Sequence, residues 1–208
     1  MITQRNIYFL GYGGHALVIN DCLSSADKLL GYFDIEENER NPLKIKYMGC
    51  EKEVDSKSMS DVAFYFPAVG SNWLRKKMME FLINKNWKST IIQHKTSVLS
   101  PNSQVDMGSL IGPNCVVNAF AKIGKSVIIN SSAVVEHGCL ISDYVHIAPG
   151  SVICGDVKIG EGSFIGAKSV IKEGISIGRN VVIGAGSVVL ENVDDNETIA
   201  GIPAKKIK

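Results

Sequence analysis

The sequence has no long apolar run. None approaches the roughly 20 residues that a membrane-spanning helix needs, so no membrane partner is expected. Cysteines are few and odd in number: Cys22, Cys50, Cys115, Cys139 and Cys154. No pair has metal-ligand spacing, so neither a redox role nor a zinc site is expected. Net charge is scarce too, at +1. Without a basic block there is no surface for nucleic acid. The first residues, MITQRNIYFLGYGG, lack the charged, apolar and small-residue zones of a signal peptide. A cytoplasmic protein is the expectation.

What is present is a repeat. Reading in sixes from Leu99, the first residue of each hexad is aliphatic sixteen times in succession, from Leu99, Val105 and Ile111 to Ile183 and Val189. The fifth residue is always Ser, Cys, Ala, Val or Ile. A hexapeptide period marks a parallel β-helix. Three hexads make one triangular coil, so each residue lies beneath the one 18 positions later. Gly112, Gly124, Gly160, Gly166, Gly178 and Gly184 recur at the second position, where a tight turn is expected. The pattern stops at Asp194, and AGIPAK and a basic tail follow.

Before the repeat, Asn6–Leu10 reads as a buried strand, Gly11–His15 as a turn, and Ala16–Leu23 as a helix. Gly11, Gly13 and Ala16 fit G-x-G-x-x-A, which lets an anion approach backbone N–H groups. A strand over Leu29–Phe33 ends in Asp34, near where a ribose-binding acid sits in nucleotide folds. Further strands are expected over Val62–Val69 and Thr90–Gln93. Between them lies a helix from Asn72 or Trp73 to Lys85, with Trp73, Lys77 and Phe81 at helical spacing. This is one α/β half, sized for a mononucleotide or a sugar attached to one. The division expected is 1–94 for the α/β part and 95–208 for the β-helix.

Two histidines break the regularity of the repeat. His137 is third in its hexad, with Ala119 one coil below and Gly155 one coil above. His146 closes the next hexad, which places the two on adjacent sides of the coil. Asn118 stacks beneath Glu136, and Asn130 comes from the preceding side. A neutral imidazole at a cleft floor suits a general base for an attacking amine or hydroxyl. Metal binding is not expected, because a β-helix zinc site needs three imidazoles and the hexads hold two.

These residues resemble a known family. GYGGHA, GYFD, VGSN, EHGCLISDYVHIAPG and AGIPAK together are similar to the hexapeptide-repeat sugar acetyltransferases with a small α/β domain before the β-helix. These include N-acetyltransferases of nucleotide-linked 4-amino-4,6-dideoxy sugars and sialic acid O-acetyltransferases. The resemblance implies an α/β Rossmann-like half domain followed by an all-β left-handed parallel β-helix. It implies acetyl-CoA as co-substrate, a nucleotide-sugar acceptor and a homotrimer with sites between neighbouring β-helices. It makes His137 the general base. Gly13, Gly14, His15, Asp34, Gly70 and Asn130 then bind substrate, and Asn118 beside Glu136 is placed with them. His146, Gly155, Ala167 and Ala185 line the acetyl-CoA side. The family often carries an acidic residue after the base, and Gly138 stands there instead. Two rival readings are O-acetylation of a sugar and a non-catalytic trimeric scaffold.

Overall fold

A computed structural model describes residues 4–53 and 63–207. Val62 of the expected third strand lies outside them. The first part is a parallel sheet of β1 (Arg5–Leu10), β2 (Asp27–Phe33), β3 (Lys46–Tyr47) and β4 (Ala63–Pro67), in the order β3-β2-β1-β4. The apolar runs NIYFL and AFYFP supply its centre: Ile7, Phe9, Leu10, Tyr65 and Phe66 are all buried. Helix α1 (Gly14–Asp21) follows the glycine turn, and α2 (Asn72–Asn84) follows β4. Ser71 caps α2, its hydroxyl accepting from Leu74 N–H.

The buried face of α2 is Arg75, Met79 and Leu82, not the Trp73–Lys77–Phe81 spacing read from the sequence. Trp73 is exposed, with the Lys77 ammonium 3.7 Å from its ring centre. A basic residue at a core-facing position hides the true stripe from a hydrophobicity reading.

The second part is a parallel β-helix with three flat faces. Face I begins at Ile92–Gln93, face II at Val98–Leu99 and face III at Gln104–Val105. From Ile92–Gln93 to Val170–Ile171 each coil strand pairs with the one 18 residues on, as in Ile128↔His146, Val134↔Val152 and Leu140↔Lys158, and in the last coil the register shortens to Val182↔Thr198. The strand expected over Thr90–Gln93 forms at Ile92–Gln93, but it pairs with Leu110–Ile111 of face I rather than with the four-stranded sheet. From Ile111 to Val189 the first residues of the hexads are buried in one continuous core. Full burial of such a side chain contributes about 1.5–3 kcal/mol. Buried serines at fifth positions donate to carbonyls of the coil wall, as Ser151 does to Gly166 and Ser169 to Gly184, so they cost little.

The second-position glycines do not make the turns. A Cβ at Gly166 would stand 2.5 Å from the Ala185 nitrogen, and one at Gly160 2.5 Å from the Gly178 carbonyl carbon. These glycines let successive coils approach. The turns lie at the fourth position, where φ is positive in every hexad from Gly108 to Gly186.

The α/β part sits on face I. The outward residues Leu110 and Ile128 share a core cluster with Phe9, Tyr32 and Phe66. Among the described residues no helix is long and apolar enough to cross a membrane.

Candidate active site

Three loops leave the carboxyl edge of the parallel sheet, the usual ligand position in such sheets. Gly11 has φ of +87°, which favours glycine. Asp34 buckles this turn: one carboxylate oxygen accepts from Tyr12 N–H at 3.0 Å, the other from Ile35 N–H at 2.8 Å. Asn38 donates to the Tyr12 carbonyl at 2.8 Å. A Cβ at Gly13, Gly14 or Gly70 would meet no heavy atom within 4 Å. The edge is therefore an open, backbone-lined cradle.

His15, in the first turn of α1, faces His146 of face I, with ring centres 6.2 Å apart. His146 is buried. Its Nδ1 lies 3.4 Å from the Gly70 carbonyl, and its Nε2 lies 3.2 Å from Asn130 Nδ2. Asn130 Oδ1 already accepts from Ser131 N–H, so its amide nitrogen faces the ring. These partners fit a neutral imidazole with the proton on Nδ1. Burial pushes the pKa of His146 down to about 3, with the Arg75 cation and His15 adding to it. Burial, then Arg75, takes His15 down to about 4. His15 Nε2 is buried without a hydrogen-bond partner.

Arg75 was not read from the sequence as a site residue. It is 1% exposed. Its guanidinium donates to the carbonyls of Ser126 at 2.7 Å, Tyr144 at 2.8 Å and Gly70 at 3.0 Å, and to Asn72 Oδ1 at 3.1 Å. Burial lowers its pKa to about 9. It ties the Gly70 loop to the strand that carries His146.

His137 lies elsewhere. It is exposed on the corner between faces II and III, whereas His146 belongs to face I. The two stand on opposite sides of the triangular section, half a coil apart, and not on adjacent sides. The 18-residue stacking around His137 holds. Gly138 N–H donates to the Ala119 carbonyl at 3.0 Å, and Asp156 N–H to the His137 carbonyl at 2.9 Å. Asn118 Nδ2 donates to Glu136 Oε2 at 2.8 Å. A Cβ at Gly155 would stand 2.6 Å from the His137 ring. A side chain at Gly138 would collide with the Asp156 carboxylate, which has taken that space from the coil above.

One chain therefore holds two separate groups. Gly13, Gly14, His15, Asp34, Gly70, Asn130 and His146 gather under the α/β part. His137, Asn118 and Gly155 gather on the II–III corner. Ala167 and Ala185 stack on the corner between faces I and II, where Gly186 N–H donates to the Ala167 carbonyl at 2.8 Å.

Comparisons with known proteins agree with this architecture. The PglD N-terminal domain family matches residues 6–82, and the hexapeptide repeat of succinyl-transferase family matches residues 156–191. Comparison with curated protein sequences gave no match. The acetyltransferase domain of PglB from Neisseria gonorrhoeae, solved in complex with acetyl coenzyme A, superposes with a TM-score of 0.90 at 28% identity, covering 98% of this chain and 100% of that one. A histidine variant of perosamine N-acetyltransferase from Caulobacter crescentus, in complex with CoA and GDP-perosamine, gives 0.91 at 28% identity over 98% and 97% of the two chains. WeeI from Acinetobacter baumannii shares the fold, with a TM-score of 0.85 at 23% identity over 98% and 100%. The chain thus carries a PglD-type N-terminal domain ahead of a hexapeptide repeat, and over nearly its whole length it is similar in structure to the PglB acetyltransferase domain and to perosamine N-acetyltransferase.

Proposed function

We propose that the protein transfers an acetyl group from acetyl-CoA to the 4-amino group of a nucleotide-linked 4-amino-4,6-dideoxy sugar, with His137 as general base. The observation that carries this reading is the open glycine cradle at the sheet's carboxyl edge, with an exposed histidine on the far corner of the coil. The cradle of one copy would present the acceptor to the His137 of its neighbour, and a homotrimer closes such an arrangement into a ring. Face III, beside the His137 corner, bears an open groove of about 620 Å³ lined by residues that include Lys122, Leu140 and Arg179. The related PglB structure holds acetyl coenzyme A, and the perosamine enzyme holds CoA and a GDP-sugar.

In this reading Gly13, Gly14 and Gly70 admit the nucleotide to the backbone, and His15 and Asp34 contact it. Asn118 and Asn130 line the sugar, while His146, Gly155, Ala167 and Ala185 lie on the acetyl-CoA side. Acetyl-CoA supplies an activated acyl group. His137 accepts the proton that the amine nitrogen loses as its bond to the acyl carbon forms, and returns it to the departing thiolate.

The test is acetyl transfer to UDP-, GDP- and dTDP-linked 4-amino sugars, with hydroxyl acceptors alongside, by the wild type and His137→Ala. General-base loss predicts a fall of about 10²–10⁴-fold. Full activity in the variant removes His137 from the mechanism.

A further inference from the structure

The turn position of each hexad has left-handed backbone, which costs an L side chain roughly 1–2 kcal/mol. From residue 108 to 186 it is filled mostly by Gly, Asn and Ser. Two aromatics also stand there, Tyr144 with φ of +62° and Phe120 with φ of +61°. Tyr144 is covered: the residue is 7% exposed and packed into a core cluster with Leu82, and Lys76 lies 5.6 Å from its ring centre. The docked α/β part explains it. Phe120 has no such cover and is 67% exposed. A bulky residue held at positive φ without a packing return points to function.

Its place supplies the occupant. Phe120 lies one coil below Gly138, on the corner that carries His137. Ala119 and Gly138 are joined by their backbones and add no more than a methyl group at this corner, while the Asp156 carboxylate from the coil above occupies the space at Gly138. On the other side of His137, Gly155 keeps the next coil clear.

We infer that Phe120 is the apolar wall of the acceptor subsite and takes the methyl-bearing face of a 6-deoxy sugar. This rests on the acetyl-transfer reading above. A phenyl ring shields a C5 methyl from water and leaves a hydroxymethyl group in its place without a hydrogen-bond partner. One such contact discriminates by about 10-fold. Phe120 would then select 4-amino-4,6-dideoxy over 4-amino-4-deoxy acceptors.

The experiment uses the full chain and two variants. Phe120→Asn places at this turn a residue already found at Asn114 and Asn180. Phe120→Leu keeps an apolar wall. Each is assayed with 4-amino-4,6-dideoxyglucose and 4-amino-4-deoxyglucose linked to whichever of UDP, GDP or dTDP the wild type accepts best. The expected wild-type preference for the methyl sugar is about 10-fold in kcat/KM. Phe120→Asn abolishes it through KM for the acceptor, with KM for acetyl-CoA, molar mass and folded CD spectrum unchanged, and Phe120→Leu keeps most of it. A preference that survives Phe120→Asn, or that the wild type lacks, overturns the inference. A fall in molar mass in Phe120→Asn also overturns it, because a second copy then covers the ring. A wild type that acetylates none of the panel sinks the acetyl-transfer reading instead.

Discussion

The imidazole of His137 fills the space in which a side chain at Gly155 would begin: a Cβ there would stand 2.6 Å from Cε1 and 2.8 Å from Nε2. Gly155→Ala must therefore turn the ring away. Misplacing a reacting group by about 1 Å can cost 10²-fold, so kcat is expected to fall by about 10–100-fold. His137 is exposed, so stability should change by less than about 1 kcal/mol. Steady-state kinetics with thermal unfolding checks this. If His137 is the base, adding His137→Ala to Gly155→Ala should cost less than it does alone.

Arg75 holds the two parts of the molecule together. Its planar fork reaches six acceptors on three segments. Lysine offers a point charge and cannot do this. Arg75→Lys is expected to lose about 2–4 kcal/mol, and Arg75→Leu at least as much, through carbonyls left unpaired. The nearby Lys76–Glu161 ion pair is half exposed on both sides, and its removal should cost less than about 1 kcal/mol. Trp73 and Trp87 both belong to the α/β part, so tryptophan fluorescence against far-UV CD in urea reads whether that part releases first in the Arg75 variants.

Stability should fall in mild acid. His146 and His15 have folded pKa values depressed to about 3 and about 4. Unfolding restores ordinary values near 6.5. Above that pH both states are neutral and stability is full. As pH falls from about 6.5 towards the folded values, the unfolded chain takes up protons that the folded chain refuses. The loss approaches about 1.4 kcal/mol per pH unit for each histidine. Urea midpoints between pH 7.5 and pH 5, where most carboxylates stay ionised, measure it. His146→Gln should reduce the slope, and an unchanged slope would remove His146 from the cause.

Complementation tests the site between copies. His137→Ala and His15→Ala chains, each weakly active alone, should regain activity when co-expressed. Random mixing gives about a quarter of sites an intact pair, one residue from each neighbour. A site built within one chain would regain nothing.

Much of the coil could be read from residue types. Sixteen aliphatic hexad positions set the 18-residue register, which then put Gly155 above His137 and Asn118 beneath Glu136. Other features had no periodic signal. Strand β3 is two residues long. Arg75 looks like helix surface because its carbonyl partners are backbone groups of distant segments, invisible to a pattern of side chains. The second-position glycines resemble turn glycines in the sequence because glycine serves two purposes, left-handed backbone and close approach, and composition does not separate them. The opposition of His137 and His146 is hidden in the linear sequence, where nine residues looks near. On an 18-residue coil it is the farthest possible separation around the axis.

The last coil strand of face I, Thr198–Gly201, is followed by Ala204–Lys206, which pairs with it antiparallel. A stack of identical parallel rungs is a template that could in principle recruit another rung from any chain with the same pattern. Here the final rung is occupied by a strand running the other way, with Lys205 and Lys206 exposed along it. A parallel newcomer on this face finds the wrong direction and a positive edge. The hairpin is a terminator that keeps a polymer-like architecture finite.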